Sequence, residues 1–386
     1  MADDLGALLA GADRALAQQN LMQARELLDR AAAAAPNDLA IRLKLAGICR
    51  ALGQPRAALD AVHSALAISP LDFTALLMRA SLLERMADPE AGEAWGHALA
   101  QRPDGTLPPQ LAAIVADGER LHADWLDGRE KRLQAHMAAA EQKADEEERT
   151  RIARFRSNVL RRTKHYHSDP THYYFPEIAE REFHPRRLFP WLAELEAATE
   201  TIASELEAVM AAERAELVPY IQYEDYLPLQ QWQPLNRSRD WTAIHLLQNG
   251  RRIEANARHC PQTMKLLKHF PQPVISDASP NAMFSLLAPN TQIPPHVGIN
   301  NARLVCHLPL VVPEGCWFRV GAQTRYWKRG EAFVFDDTIE HEALNPTDQL
   351  RVVFIFDIWH PDLSEAEREA VAALIGTEGG EAAGGL

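Results

Sequence analysis

The chain has 386 residues, 47% hydrophobic and 24% charged, and its 40 Lys and Arg against 53 Asp and Glu leave a formal charge of −13. That composition excludes wholesale disorder and fibrous repeats, and the acidity argues against general nucleic-acid or anionic-membrane binding, which needs clustered cations. No apolar run approaches the roughly 18 residues of a membrane span, so no membrane insertion is expected. Cys49, Cys260, Cys306 and Cys316 are scattered without CxxC spacing, which points to a reducing cytoplasm and no structural zinc. The opening MADDLGALLAG is acidic and does not read as a secretory signal.

The first hundred residues repeat. Pro36, Pro70 and Pro103 close similar segments at intervals of 34 and 33 residues, the period of tetratricopeptide helix pairs. Ala24, Ala58 and Ala91, then Ala31, Ala65 and Ala98, recur on the second helix of each pair, and Ala12, Ala46 and Ala80 on the first. Such a stack buries each apolar face only against its neighbour. It serves either as a concave surface for a peptide or as a packing module. After Pro108 and Pro109 comes an Ala-, Glu-, Lys- and Arg-rich stretch without proline until Pro170, which predicts one or two long helices. Its arginines from Arg149 to Arg162 follow the acidic run Asp145–Glu148 and read as solvated, internally paired faces.

From about Tyr166 the pattern changes. A helix is predicted near Leu192–Ala212, and then short segments alternate with period two: 282–288, 302–312, 316–321, 324–328, 332–337 and 351–359. Turn signals separate them, which predicts a double-sheet jelly roll. In it, His296 and His341 each fall just after a strand, 45 residues apart. Imidazole suits iron, and such a barrel can join two distant strand ends. Arg351 follows on the strand leading out, Ser285 precedes on the strand leading in, and Arg303 and His307 share one strand face. A cation, a hydroxyl and imidazoles thus gather at one barrel mouth, with Arg351 able to clamp a dicarboxylate.

The stretches NAMFSLLAPNTQIPPHVGINNARLVCHLPLVVPEGCWFRVG, TRYWKRGEAFVFDDTIEHEALN and LRVVFIFDIWHPDLSEAE, with REFHPRRLFPWL and WTAIHLLQNGRRIEANARHCPQT upstream, closely resemble the aspartyl/asparaginyl β-hydroxylase family. The resemblance covers about residues 170–370. It implies a cupin-like double-stranded β-helix dioxygenase domain (166–372), which with the tetratricopeptide-like repeat domain (1–108), a helical connector (109–165) and a tail whose composition reads as disordered (373–386) makes an α+β multidomain protein. The implied cofactors are Fe(II), 2-oxoglutarate as cosubstrate, and O2. His296 and His341 would ligate iron, Arg351 and Ser285 would hold the distal carboxylate of 2-oxoglutarate, and His307 would contact its other end. Arg303 would bind a carboxylate or phosphate, or else form a structural salt bridge. The usual carboxylate ligand is replaced by Gly298, as in this family, leaving that position to water or a halide. Asp336 and Asp337 are read as a strand-end turn supporting His341. Val305 and Leu247 depart from the vertebrate members, which carry Arg and Trp, at positions expected near the pocket. The implied reaction hydroxylates an Asp or Asn side chain of a protein or peptide, with release of succinate and CO2, and the repeats help present the substrate. The same chemistry on a lipid or small molecule, a non-catalytic scaffold, and a zinc-filled site remain alternatives at this level.

Overall fold

The computed structural model describes residues 4–212, 216–224, 226, 228 and 230–378. The chain divides into two compact units, Met1–Leu160 and Arg161–Leu386. Among the described residues no helix is long and apolar enough to cross a membrane.

The first unit is three helix pairs followed by two more helices. The first helices, α1 (Leu5–Ala17), α3 (Leu39–Ala51) and α5 (Phe73–Arg85), recur every 34 residues; their partners are α2 (Leu21–Ala34), α4 (Pro55–Ile68) and α6 (Ala91–Leu99). The period is written into the helix ends. Asp4, Asp38 and Asp72 each cap a first helix by accepting a backbone N–H, satisfying one of the orphan donors there. Gln19, Gly53 and Ala87, at the same place in each turn, all have positive φ. The predicted alanines at 12, 24, 31, 46, 58, 65, 80 and 98 are buried, since only a methyl fits between helices this close.

The expected connector is not separate from the repeats. Its two helices, α7 (Pro109–Glu141) and α8 (Glu146–Val159), belong to the same unit, and the front of α7 packs on α6. The approach is close: a Cβ at Gly118 would lie 2.3 Å from the Trp95 ring, and one at Gly92 2.1 Å from that of Trp125. The charged stretch pairs internally, Arg151 with Glu147 and Arg156 with Glu141.

The second unit runs α9 (Leu192–Ala197), α10 (Thr199–Met210), β1 (Val218–Pro219), β2 (Trp241–Gln248), β3 (Arg251–Arg252), α11 (Glu254–Ala257), α12 (Pro261–Leu267), β4 (Ala282–Leu287), β5 (Thr291–His296), β6 (Arg303–Val311), β7 (Trp317–Val320), β8 (Gln323–Tyr326), β9 (Phe333–Phe335), β10 (His341–Asn345), β11 (Arg351–Trp359) and α13 (Glu365–Glu378). Two antiparallel sheets result, β1-β2-β4-β11-β6-β9 with β3 on β2, and β5-β10-β7-β8. Strands β4 to β11 divide four and four, first beside last, which is the jelly-roll order. The larger sheet is buried on both faces: Phe284, Leu304, Cys306, Phe354 and Phe356 pack under α9, α10 and α12, while Met283, Val305, Val353 and Ile355 face the smaller sheet. Instead of the expected period-two alternation, AMFSLL and RVVFIFDIW are therefore apolar at both parities apart from Ser285, Arg351 and Asp357. All four cysteines are buried and unpaired.

Three sequence expectations change. The helix predicted over 192–212 is two helices meeting at Ala198. Strand β5 escapes the sequence pattern because Pro294 and Pro295 interrupt it; it sits at a sheet edge, where proline is tolerated. The tail expected to be disordered from 373 is helical as far as Glu378, because Ile375 is buried among Ile275, Trp359 and Leu363. Residues 379–386 lie outside the described residues.

Candidate functional site

His296 ends β5 and His341 opens β10, rather than following a strand, and the two are direct register partners with ring centroids 4.0 Å apart. Each Nδ1 faces a backbone carbonyl two residues back, Pro294 at 2.8 Å for His296 and Ile339 at 3.1 Å for His341. A carbonyl only accepts, so Nδ1 carries the proton and each Nε2 keeps a lone pair. This arrangement orients imidazole ligands in metal sites. Burial pushes the His296 pKa down to about 3 and the His341 pKa to about 4. Both rings are therefore neutral at physiological pH, the state that binds metal. Among the described residues no three His, Cys, Asp or Glu side chains form a metal cluster.

Ser285 on β4 and Arg351 on β11 project from neighbouring strands of the larger sheet into the same cavity. Arg351 is 1% exposed and lies 4.7 Å over the Trp327 ring; its Nε has no hydrogen-bond partner, and its terminal nitrogen only grazes the Ser285 carbonyl at 3.5 Å. Burial lowers its pKa to about 10. A buried guanidinium with no carboxylate partner is costly unless an anion joins it. Ser285 Oγ accepts from the Trp241 indole N–H at 3.1 Å, which leaves its own O–H to donate. His307 on β6 lines the cavity as well, its buried Nδ1 unpartnered and its pKa far below the usual histidine value because of burial and the nearby Arg351.

Arg303 does not line this cavity. Its guanidinium forms a buried ion pair with Asp337 at 3.1 Å, the structural alternative allowed by the sequence. Asp336 behaves as a turn residue, accepting from the Thr338 backbone N–H at 2.9 Å. Asp337 does more than support a turn: it lines the cavity, and a Cβ at Gly298 would meet its Oδ2 at 2.2 Å. The space a longer residue 298 would use is thus taken by Asp337. Its parity with the inward Phe333 and Phe335 was the available sequence signal. Val305 is on the cavity wall, whereas Leu247, expected near the pocket, packs into the helix-covered core instead.

The remaining wall is aromatic and apolar. Tyr220 stacks on Trp241 at 3.8 Å, and outside the lining Trp232 lies edge-on to His296 at 5.0 Å. Their positions depend on a loop and on the start of β2, which the sequence did not mark. The cavity and its open mouth together enclose about 490 Å³ of space between these side chains. It gathers two imidazoles, a guanidinium and a hydroxyl, donor types that suit a divalent metal and a carboxylate.

Residues 196–361 match the family described as Aspartyl/Asparaginyl beta-hydroxylase. Over 186 residues the chain is 33% identical to the aspartyl/asparaginyl beta-hydroxylase of Homo sapiens, covering 48% of this chain and 24% of that one. It is 32% identical over 209 residues to aspartate beta-hydroxylase domain-containing protein 2 of Xenopus tropicalis, covering 53% and 52%. The chain therefore spans between about a quarter and about half the length of these relatives. Among solved structures, the Sgt2 TPR domain from Aspergillus fumigatus aligns with 31% of this chain and 78% of its own, at 20% identity and a TM-score of 0.27.

Proposed function

We propose that the chain, whose residues 196–361 match the aspartyl/asparaginyl β-hydroxylase family, is an Fe(II)- and 2-oxoglutarate-dependent dioxygenase hydroxylating an Asp or Asn side chain of a protein or peptide. The observation that carries this is the pairing of two neutral, preoriented imidazoles with a buried arginine that has no anion of its own. The donor set suits a first-row divalent ion with open positions. When bound, Fe(II) with 2-oxoglutarate and O2 supplies the oxidation, releasing succinate and CO2 as a C–H bond gains a hydroxyl.

The residues do the positioning. His296 and His341 hold the metal through Nε2, with the Pro294 and Ile339 carbonyls fixing each ring plane. Arg351 and the Ser285 hydroxyl receive the distal carboxylate of 2-oxoglutarate, and His307 borders its chain. Asp337, held by Arg303, occupies the volume beside Gly298 that a longer residue 298 would use. Trp241, Trp232 and Tyr220 keep bulk water from the reacting centre. The helical repeats, a stack of the kind that offers extended surfaces to peptides, would present the protein substrate.

The test is conversion of 2-oxoglutarate to succinate by the purified chain with Fe(II), in the presence of peptides containing Asp or Asn. Peptide-stimulated succinate formation, lowered at least a hundredfold by His341→Ala, is the expected result. Unchanged turnover in that variant would sink the metal assignment.

A further inference from the structure

Arg351 enters the cavity from β11 with one weak hydrogen bond, its terminal nitrogen 3.5 Å from the Ser285 carbonyl, and no carboxylate partner among the described residues. That bond alone does not hold a long, flexible side chain in one orientation, because ordering it costs rotamer entropy. Its close neighbour is an aromatic face: the guanidinium carbon lies 4.7 Å from the centroid of the Trp327 ring. Arginine stacks on indole through cation–π attraction, which strengthens where water is excluded. Both partners are buried, Arg351 at 1% exposure and Trp327 at 8%.

Trp327 is itself held. It directly follows β8, whose last residue Tyr326 is exposed, and the alternation of the strand turns the next side chain inward. Its ring stacks on Phe318 of β7, with centroids 5.6 Å apart and planes 14° off parallel. Phe318 in turn lies 5.1 Å from His307 and 5.9 Å from His341 between ring centroids. Strand β7 pairs with β8 on one side and with β10, the strand of His341, on the other. A row of rings on neighbouring strands of the smaller sheet therefore runs from the guanidinium to the imidazole pair. It fixes how far one stands from the other.

We propose that Trp327 is the positioning residue of the clamp: its ring sets the plane and the reach of the Arg351 guanidinium, and through Phe318 ties that reach to the imidazoles, so that the cavity accepts a dicarboxylate of one length. The inference rests on the dioxygenase reading above, in which that dicarboxylate is 2-oxoglutarate. With a smaller side chain at 327 the guanidinium loses its backing and gains room to withdraw from the cavity. A diacid with one more methylene then fits where it did not before. A core aromatic that served packing alone would behave differently, since its loss would weaken every ligand by the same factor.

The experiment compares 2-oxoglutarate with 2-oxoadipate, one methylene longer, by titration calorimetry on the full chain with Fe(II) under nitrogen. The wild type should prefer 2-oxoglutarate by about tenfold or more, the usual discrimination of one methylene in a closed pocket. Trp327→Leu should weaken 2-oxoglutarate by roughly two- to thirtyfold, the range of a desolvated cation–π contact, and leave 2-oxoadipate unchanged or tighter. Trp327→Phe, which keeps a ring, should fall between the two. Tyr326→Leu, at the exposed neighbouring position, should change neither ligand. Equal weakening of both diacids, or unchanged 2-oxoglutarate binding in Trp327→Leu, overturns the positioning role while leaving the dioxygenase reading intact. If Trp327→Leu does not fold in a thermal melt, Trp327→Phe decides alone, and a wild-type preference between the diacids in that variant overturns the role. Failure of the wild type to bind 2-oxoglutarate at all overturns the dioxygenase reading, and the inference with it.

Discussion

Replacing Arg351 by Met separates ligand binding from folding. The guanidinium is 1% exposed, has no carboxylate partner and has an unpartnered Nε, so in the ligand-free chain it contributes little that methionine cannot. A Met of similar length keeps contact with the Trp327 ring, now through sulfur. The variant should therefore melt at the same temperature as the wild type or above it, since removing an uncompensated buried charge is neutral or stabilising. Binding of 2-oxoglutarate should suffer heavily. Two charge-assisted hydrogen bonds at about 1.5–3 kcal/mol each amount to about 3–6 kcal/mol, or roughly 10²–10⁴ in Kd. At a concentration of about 100 times the wild-type Kd, 2-oxoglutarate with metal stabilises the folded chain by about 2.7 kcal/mol. That raises the transition of the second unit by roughly 5–10 °C. Thermal melts with and without 2-oxoglutarate should show the rise in the wild type and none in Arg351→Met. A retained rise places the clamp elsewhere. A ligand-free variant weakened by more than about 3 kcal/mol would mean that Arg351 is a structural residue after all.

Three other outcomes are expected. Gly298→Asp should not create a working third ligand, because its Cβ would fall 2.2 Å from Asp337 Oδ2. It should lower stability by about 1–3 kcal/mol, and Asp337→Ala in the same chain should recover part of that in a urea melt. Ala87→Gly should stabilise the first unit by about 0.5–1 kcal/mol, since residue 87 has φ 52° and the β-carbon is strained there; an unchanged or lower melting temperature would contradict this. His184, buried with neither ring nitrogen partnered, has its pKa pushed down to about 3 by burial. Between pH 6.5 and 3 the unfolded chain binds a proton there that the folded chain does not, so stability falls as pH falls, by at most about 1.4 kcal/mol per unit from this group. His184→Phe should flatten that slope in melts from pH 7 to 5, and parallel slopes would show that the ring is not responsible.

The repeats were legible because their period is carried by alanines, prolines and capping aspartates whose roles are local. The larger sheet was legible because β-branched and aromatic residues crowd strands such as RVVFIFDIW between turn signals, although burial on both faces replaces the expected alternation. Strand β5 was hidden by its prolines, and β10 by the polar ends of the short, half-buried HEALN, since an edge position and a half-buried pattern weaken the signal. The residues His296, His341, Ser285, His307 and Arg351 were found by motif and parity and do meet in one cavity. Arg303 was placed on the correct face, but its ion pair with Asp337 is a matter of which neighbour reaches it first. That fact resides in the packing of β6 against the loop after β9, not in local sequence. Tyr220 and Trp232 were missed for the same reason, because a loop's path over a barrel mouth is set by tertiary contacts.

The measurement that bears most directly on the proposed function is an anaerobic titration of the metal-free chain with Fe(II) and 2-oxoglutarate, followed through the weak visible charge-transfer absorption. The band should appear with both components, be absent with either alone, and be lost in His296→Ala. No band and no metal binding in the wild type, or a band unchanged in His296→Ala, would contradict the iron and 2-oxoglutarate site.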